Sequence, residues 1–223
     1  MSEQEIRAAA LARAGAVAQR FDRPRSRHNA ERTAGEPTRA VFGATMTVRE
    51  ADAGANQVSF SGVATAYERG YTMYDFFGPY TEIVNRGAGA NSLARSDIDV
   101  PLVIAHDQTR RIARTTNGSL ILRETDTGLE VNAPNLNMED QDVAYIVPKL
   151  RDGLIDEMSF AFRITRGTWS PDYTEYRIEE YDIHRGDVAI VGYGANPHTS
   201  AEVRSYDMRA LIPIEETRLL PYL

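Results

Sequence analysis

The spacing of apolar residues predicts mostly strands after residue 40. Short runs rich in β-branched and aromatic residues, bounded by turn-forming residues, are typical of strands. These runs cover residues 41–48, 57–67, 102–105, 111–115, 119–124, 129–133, 157–165, 175–183 and 187–193. Asn117-Gly118 predicts a two-residue hairpin turn between two of the runs. The stretch 71–80, crowded with aromatic residues and Gly-Pro, is expected to be a packed loop.

One good helix interrupts this pattern. The apolar residues that recur at helical spacing are Val143, Ile146, Val147 and Leu150. Asn137 is the expected N-cap, acidic residues follow it, and Gly153 can close the carboxyl end. The sum predicts an α+β domain, mostly an antiparallel, partly closed β-barrel with a few helices.

The first 39 residues differ in composition from the rest. Residues 5–20 are rich in Ala and Arg and predict a weak helix, whereas residues 22–39 hold little that a core could bury. We therefore expect a mobile N-terminal arm and linker over residues 1–39, a compact domain over residues 40–205, and a mobile C-terminal tail over residues 206–223.

Composition narrows the classes of function. The chain has 223 residues, 42% of them hydrophobic, which is ordinary for a globular protein. Its net charge is −7, and because residues 1–39 hold eight arginines and five acidic residues, the remainder carries −10. An acidic body argues against specific nucleic-acid binding. The basic arm fits either a solvated end or contact with an acidic partner.

Several other classes of site are not expected. The absence of cysteine excludes disulfides, thiolate metal ligands and a cysteine nucleophile. No apolar run is long enough to span a membrane or to serve as a signal peptide, so we expect an intracellular protein without a membrane partner. Gly87-Ala88-Gly89 lacks the third glycine of a dinucleotide-binding loop, and no cofactor is expected.

Ser159 is a candidate nucleophile. Met158, Phe160, Phe162 and Ile164 alternate, so they share one face of a strand, and Ser159 points to the other face beside the small Ala161. A rigid strand below and open space above suit a reacting hydroxyl. The alternation by itself favours the plainer interpretation, a serine on a solvent-facing strand.

His106 is a candidate general base. It follows the apolar run 101–105, and a histidine at the end of a buried strand can be both desolvated and anchored. A half-buried structural histidine fits the same position. His184 stays a second candidate, in front of an expected turn at Arg185-Gly186. Asp97, Asp99, His106 and Asp107 could alternatively form an oxygen-rich metal site, but no paired-histidine motif accompanies them.

Five short blocks, in order along the chain, resemble the phage prohead (capsid maturation) proteases of the HK97 type, serine peptidases related in fold to the herpesvirus assemblins. The resemblance covers roughly residues 40–205. The blocks are Phe60-Ser61-Gly62-Val63-Ala64, Val103-Ile104-Ala105-His106-Asp107, Thr127-Gly128-Leu129-Glu130-Val131, residues 153–162, and Asp187-Val188-Ala189-Ile190-Val191 followed by Ala195-Asn196-Pro197. Departures from the family pattern are mild: Ala161 replaces a usual glycine, and Asp187 stands where glutamate is commoner.

The resemblance implies a herpesvirus-protease-like fold and a catalytic set of His106, Ser159 and Asp187, with His184 as the alternative third member. It implies that the oxyanion donors come from the loop 192–197, with Ala195 and Asn196 as candidates. It also implies cleavage of scaffold and major capsid protein extensions, and of the chain itself, inside an assembling procapsid in the host cytoplasm. No metal or cofactor is implied.

Two other functions remain open from the sequence. An inactive relative of the same fold could serve as a capsid-assembly or scaffold module, although such a relative would be free to lose the three candidate residues. A metal-dependent phosphohydrolase using His106 and Asp107 is a weaker alternative, because that pair usually lies on helices. Each of these functions is compatible with a homodimer or a higher oligomer.

Overall fold

A computed structural model describes residues 2–16, 23–24, 28–29, 47–50 and 56–194. Three helices lie in these residues: α1 (Glu3–Ala16), α2 (Ala90–Leu93) and α3 (Gln141–Arg151). The strands are β1 (His28–Asn29), β2 (Thr47–Glu50), β3 (Gln57–Ala66), β4 (Tyr71–Asp75), β5 (Gly78–Val84), β6 (Pro101–Ile104), β7 (Asp107–Arg114), β8 (Ile121–Glu124), β9 (Gly128–Asn137), β10 (Glu157–Trp169) and β11 (Glu175–Val191). None of these helices is long and apolar enough to cross a membrane.

The strands form two sheets. The larger is mixed, in the order β1-β4-β5-β11-β6-β7, with β10 paired to β11 as well. The smaller is antiparallel, in the order β2-β3-β9-β8. Strand β11 is antiparallel to β10 and parallel to both β5 and β6, so it is the central strand of the larger sheet.

One hydrophobic core joins the two sheets and α3. Alternate residues of β3 and β9 are buried, as expected for strands with one face on a core. Phe60 and Leu129 from the smaller sheet, Met158 and Ile190 from the larger, and Ile146 from α3 belong to the same cluster. This shared core holds the larger sheet rigid beneath the candidate site.

The predicted α+β class is confirmed, but the strand pairings of the described residues form no closed barrel. The expected herpesvirus-protease-like arrangement stays a prediction. The expected strand over residues 41–48 falls mostly outside the described residues, which include β2 at Thr47–Glu50. The boundaries expected at residues 39/40 and 205/206 also lie outside them, so the division into arm, domain and tail stays a prediction.

Several local predictions were wrong, and the two strands expected over residues 175–183 and 187–193 are the single strand β11. Asn117-Gly118 does not form a hairpin, because β7 pairs with β6 in one sheet and β8 pairs with β9 in the other. Gly118 instead adopts a left-handed conformation (φ 74°) at the end of a 3-10 turn, where the chain crosses between sheets. Residues 71–80 are not a loop but the β4–β5 hairpin, whose turn residues Phe76 and Phe77 carry no sequence signal for a turn.

The helix α3 begins later than expected. Strand β9 continues to Asn137, and the N-cap is Asp140, whose Oδ1 accepts hydrogen bonds from the backbone N–H groups of Asp142 and Val143. Asn137 and Asp140 are both residue types that cap helices, but Asn137 is still part of β9. The cap is therefore Asp140, which directly precedes the helix. The four predicted apolar positions are all buried.

The predicted N-terminal helix is docked on the domain through one buried ion pair. Arg13 donates to both carboxylate oxygens of Asp75 at 2.9 Å, and both side chains are almost fully buried. The same guanidinium donates to the backbone carbonyls of Tyr173, Gly78 and Pro79. Composition alone had grouped this helix with a separate arm, because a single arginine among many carries no signal of burial.

We predict that Arg13→Ala lowers the free energy of unfolding by about 3 kcal/mol, because it leaves the Asp75 carboxylate buried without its cation. The matched control is Arg7→Ala, which removes a solvent-exposed pair with Glu3 and should change stability by about 0.5 kcal/mol or less. Urea denaturation of both variants measures this. Equal unfolding midpoints for the two variants would contradict the docking role of Arg13.

Candidate active site

His106 lies in a tight turn between β6 and β7. Ile104 pairs with Asp107, so the turn itself is Ala105-His106, and both residues have left-handed φ values of 53° and 58°. This conformation suits a two-residue hairpin but is unfavourable for residues other than glycine. The Ala105 N–H donates to the Ile190 carbonyl at 2.9 Å, which anchors the strained turn to β11.

Asp187 lies on β11, just after a large bulge. Ala161 pairs with Asp187 and Arg163 pairs with Asp182, so four residues of β11 oppose the single Phe162 of β10. A Cβ added at Gly186, within the bulge, would lie 1.8 Å from the Ala161 carbonyl oxygen. Glycine is therefore required here, because any side chain would keep β11 too far from β10 for Asp187 to pair with Ala161.

The structure brings His106 and Asp187 together. His106 Nδ1 and Asp187 Oδ1 are 2.7 Å apart, and the Asp187 side chain is 4% exposed whereas the imidazole is 38% exposed. A carboxylate can only accept, so Nδ1 carries the proton of this hydrogen bond and Nε2 is left as the basic nitrogen. A buried carboxylate beneath a partly open imidazole is the arrangement that orients a general base.

Ser159 shares a face of the sheet with Asp187. It pairs with Ala189 two residues along β11 from Asp187, with no register break between Glu157 and Ala161. Residues diagonal in this way are about 7–8 Å apart, which leaves room for one imidazole between them. The neighbouring side chains are small and apolar: Val103, Ala189 and Val191 form a buried cluster.

The Ser159 hydroxyl is not yet in contact with the histidine. Within residues 56–194 no hydrogen bond joins it to His106. Catalytic hydrogen bonds are often long in unliganded enzymes and tighten when substrate binds. Of the two hydrogen bonds that a Ser-His-Asp set would need, the one between His106 and Asp187 is formed and the one between His106 and Ser159 is not.

His184 lies in the bulge and is engaged elsewhere. Its Nδ1 accepts a hydrogen bond from the Asp99 N–H at 3.2 Å, and its carbonyl accepts one from Arg163. Among the described residues, the contact with His106 Nδ1 is made by Asp187 and not by His184. Of the two candidates, only Asp187 therefore contacts the imidazole of His106 within the described residues.

Asp182 ties the bulge to its surroundings. Its carboxylate accepts hydrogen bonds from the Arg163 guanidinium at 2.6 Å, the Ser92 hydroxyl at 2.9 Å and the His184 N–H at 2.9 Å. Burial acts to raise its pKa, but these three hydrogen bonds, led by that from Arg163, lower the pKa of Asp182 to about 2. Asp182 is therefore ionised at neutral pH, and it anchors the start of the bulge to β10 and α2.

The candidate oxyanion donors Ala195 and Asn196 lie outside the described residues, and their role stays a prediction. The neighbouring Gly194 is described, and its N–H donates to Glu157 Oε2 at 2.5 Å. Glu157 opens the strand that carries Ser159. Gly194, within the predicted oxyanion loop 192–197, is thus attached to the start of β10, the strand that carries Ser159.

The alternative oxygen-rich metal site is not assembled. Asp97 is paired with Arg95, Asp99 is paired with Arg114, and Asp107 accepts hydrogen bonds from the N–H and hydroxyl of Thr109. Within the described ranges, no three histidine, aspartate or glutamate side chains are grouped to hold a metal ion. Each of these carboxylates instead stabilises a turn or a neighbouring strand.

Sequence reasoning missed Gln108. Its side-chain Nε2 donates to Asp187 Oδ2 at 2.5 Å, so the buried carboxylate has one partner on each oxygen. A glutamine two positions after the candidate histidine would have been the only signal, and glutamine is common on exposed strands. Its reach across to β11 is visible only in three dimensions.

Comparison with known proteins gives one family. The family model described as caudovirus prohead serine protease matches residues 44–212, about three quarters of the chain. No curated protein and no solved structure matches the chain significantly.

The lowered pKa of Asp182 predicts a pH-dependent stability. The pKa of an aspartate in the unfolded chain is about 3.9, whereas that of Asp182 in the folded state is about 2. Asp182 therefore stabilises the fold fully above about pH 4, and this stabilisation is lost as the pH falls towards 2. Asp182→Asn should therefore be less stable than the wild type at pH 7, and its stability should fall less steeply between pH 4 and 2. Urea titrations at several pH values measure this, with exposed Asp156→Asn as the control. Parallel stability curves for the wild type and Asp182→Asn would refute it.

Proposed function

The chain belongs to the caudovirus prohead serine protease family, and from that premise we propose that it is a serine endopeptidase that cleaves scaffold and major capsid protein extensions, and itself, during prohead maturation. The proposed site of action is the assembling procapsid in the host cytoplasm. The observation that carries the proposal is the 2.7 Å contact between His106 Nδ1 and the buried Asp187, on the sheet face that also carries Ser159.

In the proposed mechanism Ser159 Oγ attacks the peptide carbonyl carbon while His106 Nε2 takes the hydroxyl proton. Asp187 holds the Nδ1 proton and stabilises the imidazolium that forms. The imidazolium then gives its proton to the leaving amine as the C–N bond breaks, which leaves an acyl ester on Ser159. Water, deprotonated by His106, hydrolyses the ester and restores the serine.

The oxyanion that forms on the carbonyl needs preorganised N–H donors. We propose that these come from Ala195 or Asn196. Two features support this placement: Gly194 directly precedes them, and its own N–H is occupied by Glu157. Glu157 lies two residues before Ser159 on β10, so the loop and the nucleophile share one anchor.

We predict that Ser159→Ala abolishes cleavage and leaves the fold intact, since it removes one oxygen atom from a half-buried strand position. The experiment is co-expression with the capsid and scaffold proteins of the same phage, followed by intact-mass analysis. Wild-type protein should shorten the capsid protein and its own ends. Ser159→Ala should shorten neither, and the matched control Ser61→Ala, on the other sheet, should behave as the wild type.

Two results would overturn the assignment. Cleavage by Ser159→Ala near the wild-type rate would exclude Ser159 as the nucleophile. Uncleaved capsid protein and intact termini with the folded wild-type protein, in properly assembled procapsids, would instead favour an inactive assembly module of the same fold.

We further predict that Asp187→Asn lowers kcat/KM by about 10⁴-fold, because an amide cannot hold the required tautomer and charge of His106. His184→Ala should change kcat/KM by less than about threefold, because His184 bonds to Asp99. Both are measured on a peptide that spans the cleavage site mapped with the wild-type protein. A large loss with His184→Ala and a small one with Asp187→Asn would transfer the third position to His184.

A further inference from the structure

Gln108 occupies the one side of the Asp187 carboxylate that His106 leaves open. Asp187 Oδ1 faces His106 Nδ1 at 2.7 Å, and Oδ2 accepts from Gln108 Nε2 at 2.5 Å. The carboxylate is 4% exposed, so water cannot readily replace either partner. Each oxygen of the buried carboxylate therefore has its own hydrogen-bond partner.

The backbone of Gln108 is held out of the regular sheet. Ile104 pairs with Asp107 and Val103 with Arg111, so residues 108–110 form a bulge in β7. Asp107 Oδ1 accepts from the N–H and hydroxyl of Thr109, at 2.8 and 2.6 Å, which fixes the start of the bulge. A regular strand would direct this side chain by simple alternation, whereas the bulge turns it towards β11 across β6.

The amide orientation of Gln108 is determined by its two neighbours. Arg111 donates to Gln108 Oε1 at 3.1 Å and, through Nε, to the Gln108 carbonyl at 2.8 Å. Arginine can only donate and a carboxylate can only accept. The amide therefore has its oxygen towards Arg111 and its NH₂ towards Asp187, and it links a cation to the buried acid.

We propose that Gln108 is a positioning residue for the reaction proposed above: by holding Asp187 Oδ2 it keeps Oδ1 aligned with the Nδ1–H of His106. The inference rests on the proposed function. Without the Gln108 donor, the carboxylate keeps a single hydrogen bond in a buried site and is free to rotate about its Cβ–Cγ bond. The imidazole then loses its fixed direction, and Nε2 is no longer held where the serine proton must go.

Two substitutions of similar size distinguish the effect of the hydrogen-bond donor of Gln108 from the effect of its side-chain shape. Gln108→Met keeps the length without a donor, and Gln108→Glu keeps the shape but puts a second carboxylate against Asp187. The matched control is Gln141→Met, the same change at an exposed position in the first turn of α3. All three are assayed for kcat, KM and melting temperature on the mapped cleavage-site peptide.

We expect kcat to fall about 10- to 100-fold in both Gln108 variants, the range typical for removing a group that orients a catalytic residue, with KM changed by less than about threefold. Gln141→Met should match the wild type in both parameters. A merely structural role would lower the melting temperature and leave the kcat of the folded fraction unchanged. A kcat for Gln108→Met within twofold of the wild type would overturn the proposal.

A second measurement does not depend on activity. In the Ser159→Ala background, proton NMR of protein labelled with ¹⁵N-histidine reports the hydrogen-bonded Nδ1 proton of His106. We expect Gln108→Met to move this resonance upfield or to speed its exchange with water, and Gln141→Met to leave it in place. An unchanged resonance in Gln108→Met would overturn the positioning role. Absence of cleavage by the wild type, with the resonance still sensitive to Gln108, would refute the proposed function alone.

Discussion

The burial of the Asp187 carboxylate is the constraint on which the rest of the candidate site depends. An ionised carboxylate inside a protein is tolerated only when hydrogen bonds replace its water. Asp187 receives one on each oxygen, from His106 in the β6–β7 turn and from Gln108 in the β7 bulge that follows this turn. The shape of that connection is thereby tied to a residue some 80 positions further along the chain.

Three of the five non-glycine residues with positive φ in the described part of the chain lie close to this carboxylate. Ala105, His106 and Arg185 all have left-handed φ values, a conformation that costs about 1–3 kcal/mol for a residue other than glycine. Ala105 and His106 form the turn between β6 and β7, and Arg185 lies in the bulge two residues before Asp187. Backbone hydrogen bonds anchor the two strained segments, from Ala105 to Ile190 on β11 and from Arg185 to Asp99, two residues before β6. An isolated hairpin would relax out of these unfavourable conformations, but here the hydrogen-bonded strands on either side keep the backbone in them.

The supports of the site are distributed through the larger sheet. Asp182 accepts hydrogen bonds from Arg163 and Ser92 and anchors the start of the bulge, and Glu157 attaches the chain at Gly194 to the start of β10. Strand β11 is paired on both edges, so its residues have little freedom to shift. Ser159 and Asp187 lie on paired strands, and side chains on paired strands are held more closely than side chains on loops.

The sequence by itself determined the alternating face that carries Ser159, the end-of-strand position of His106, the helical face of α3 and the α+β class, because each follows from a local period of apolar residues. Short blocks in order also pointed to the family that the comparison found. Local periodicity says which face a side chain takes but not which distant strand lies beside it. Only the tertiary structure decided that residues 175–191 form one bulged strand rather than two, that Gln108 reaches Asp187, and that Arg13 is buried. Each of these is a contact between residues more than 60 positions apart, or a backbone adjustment that serves one, and no local period encodes such a contact.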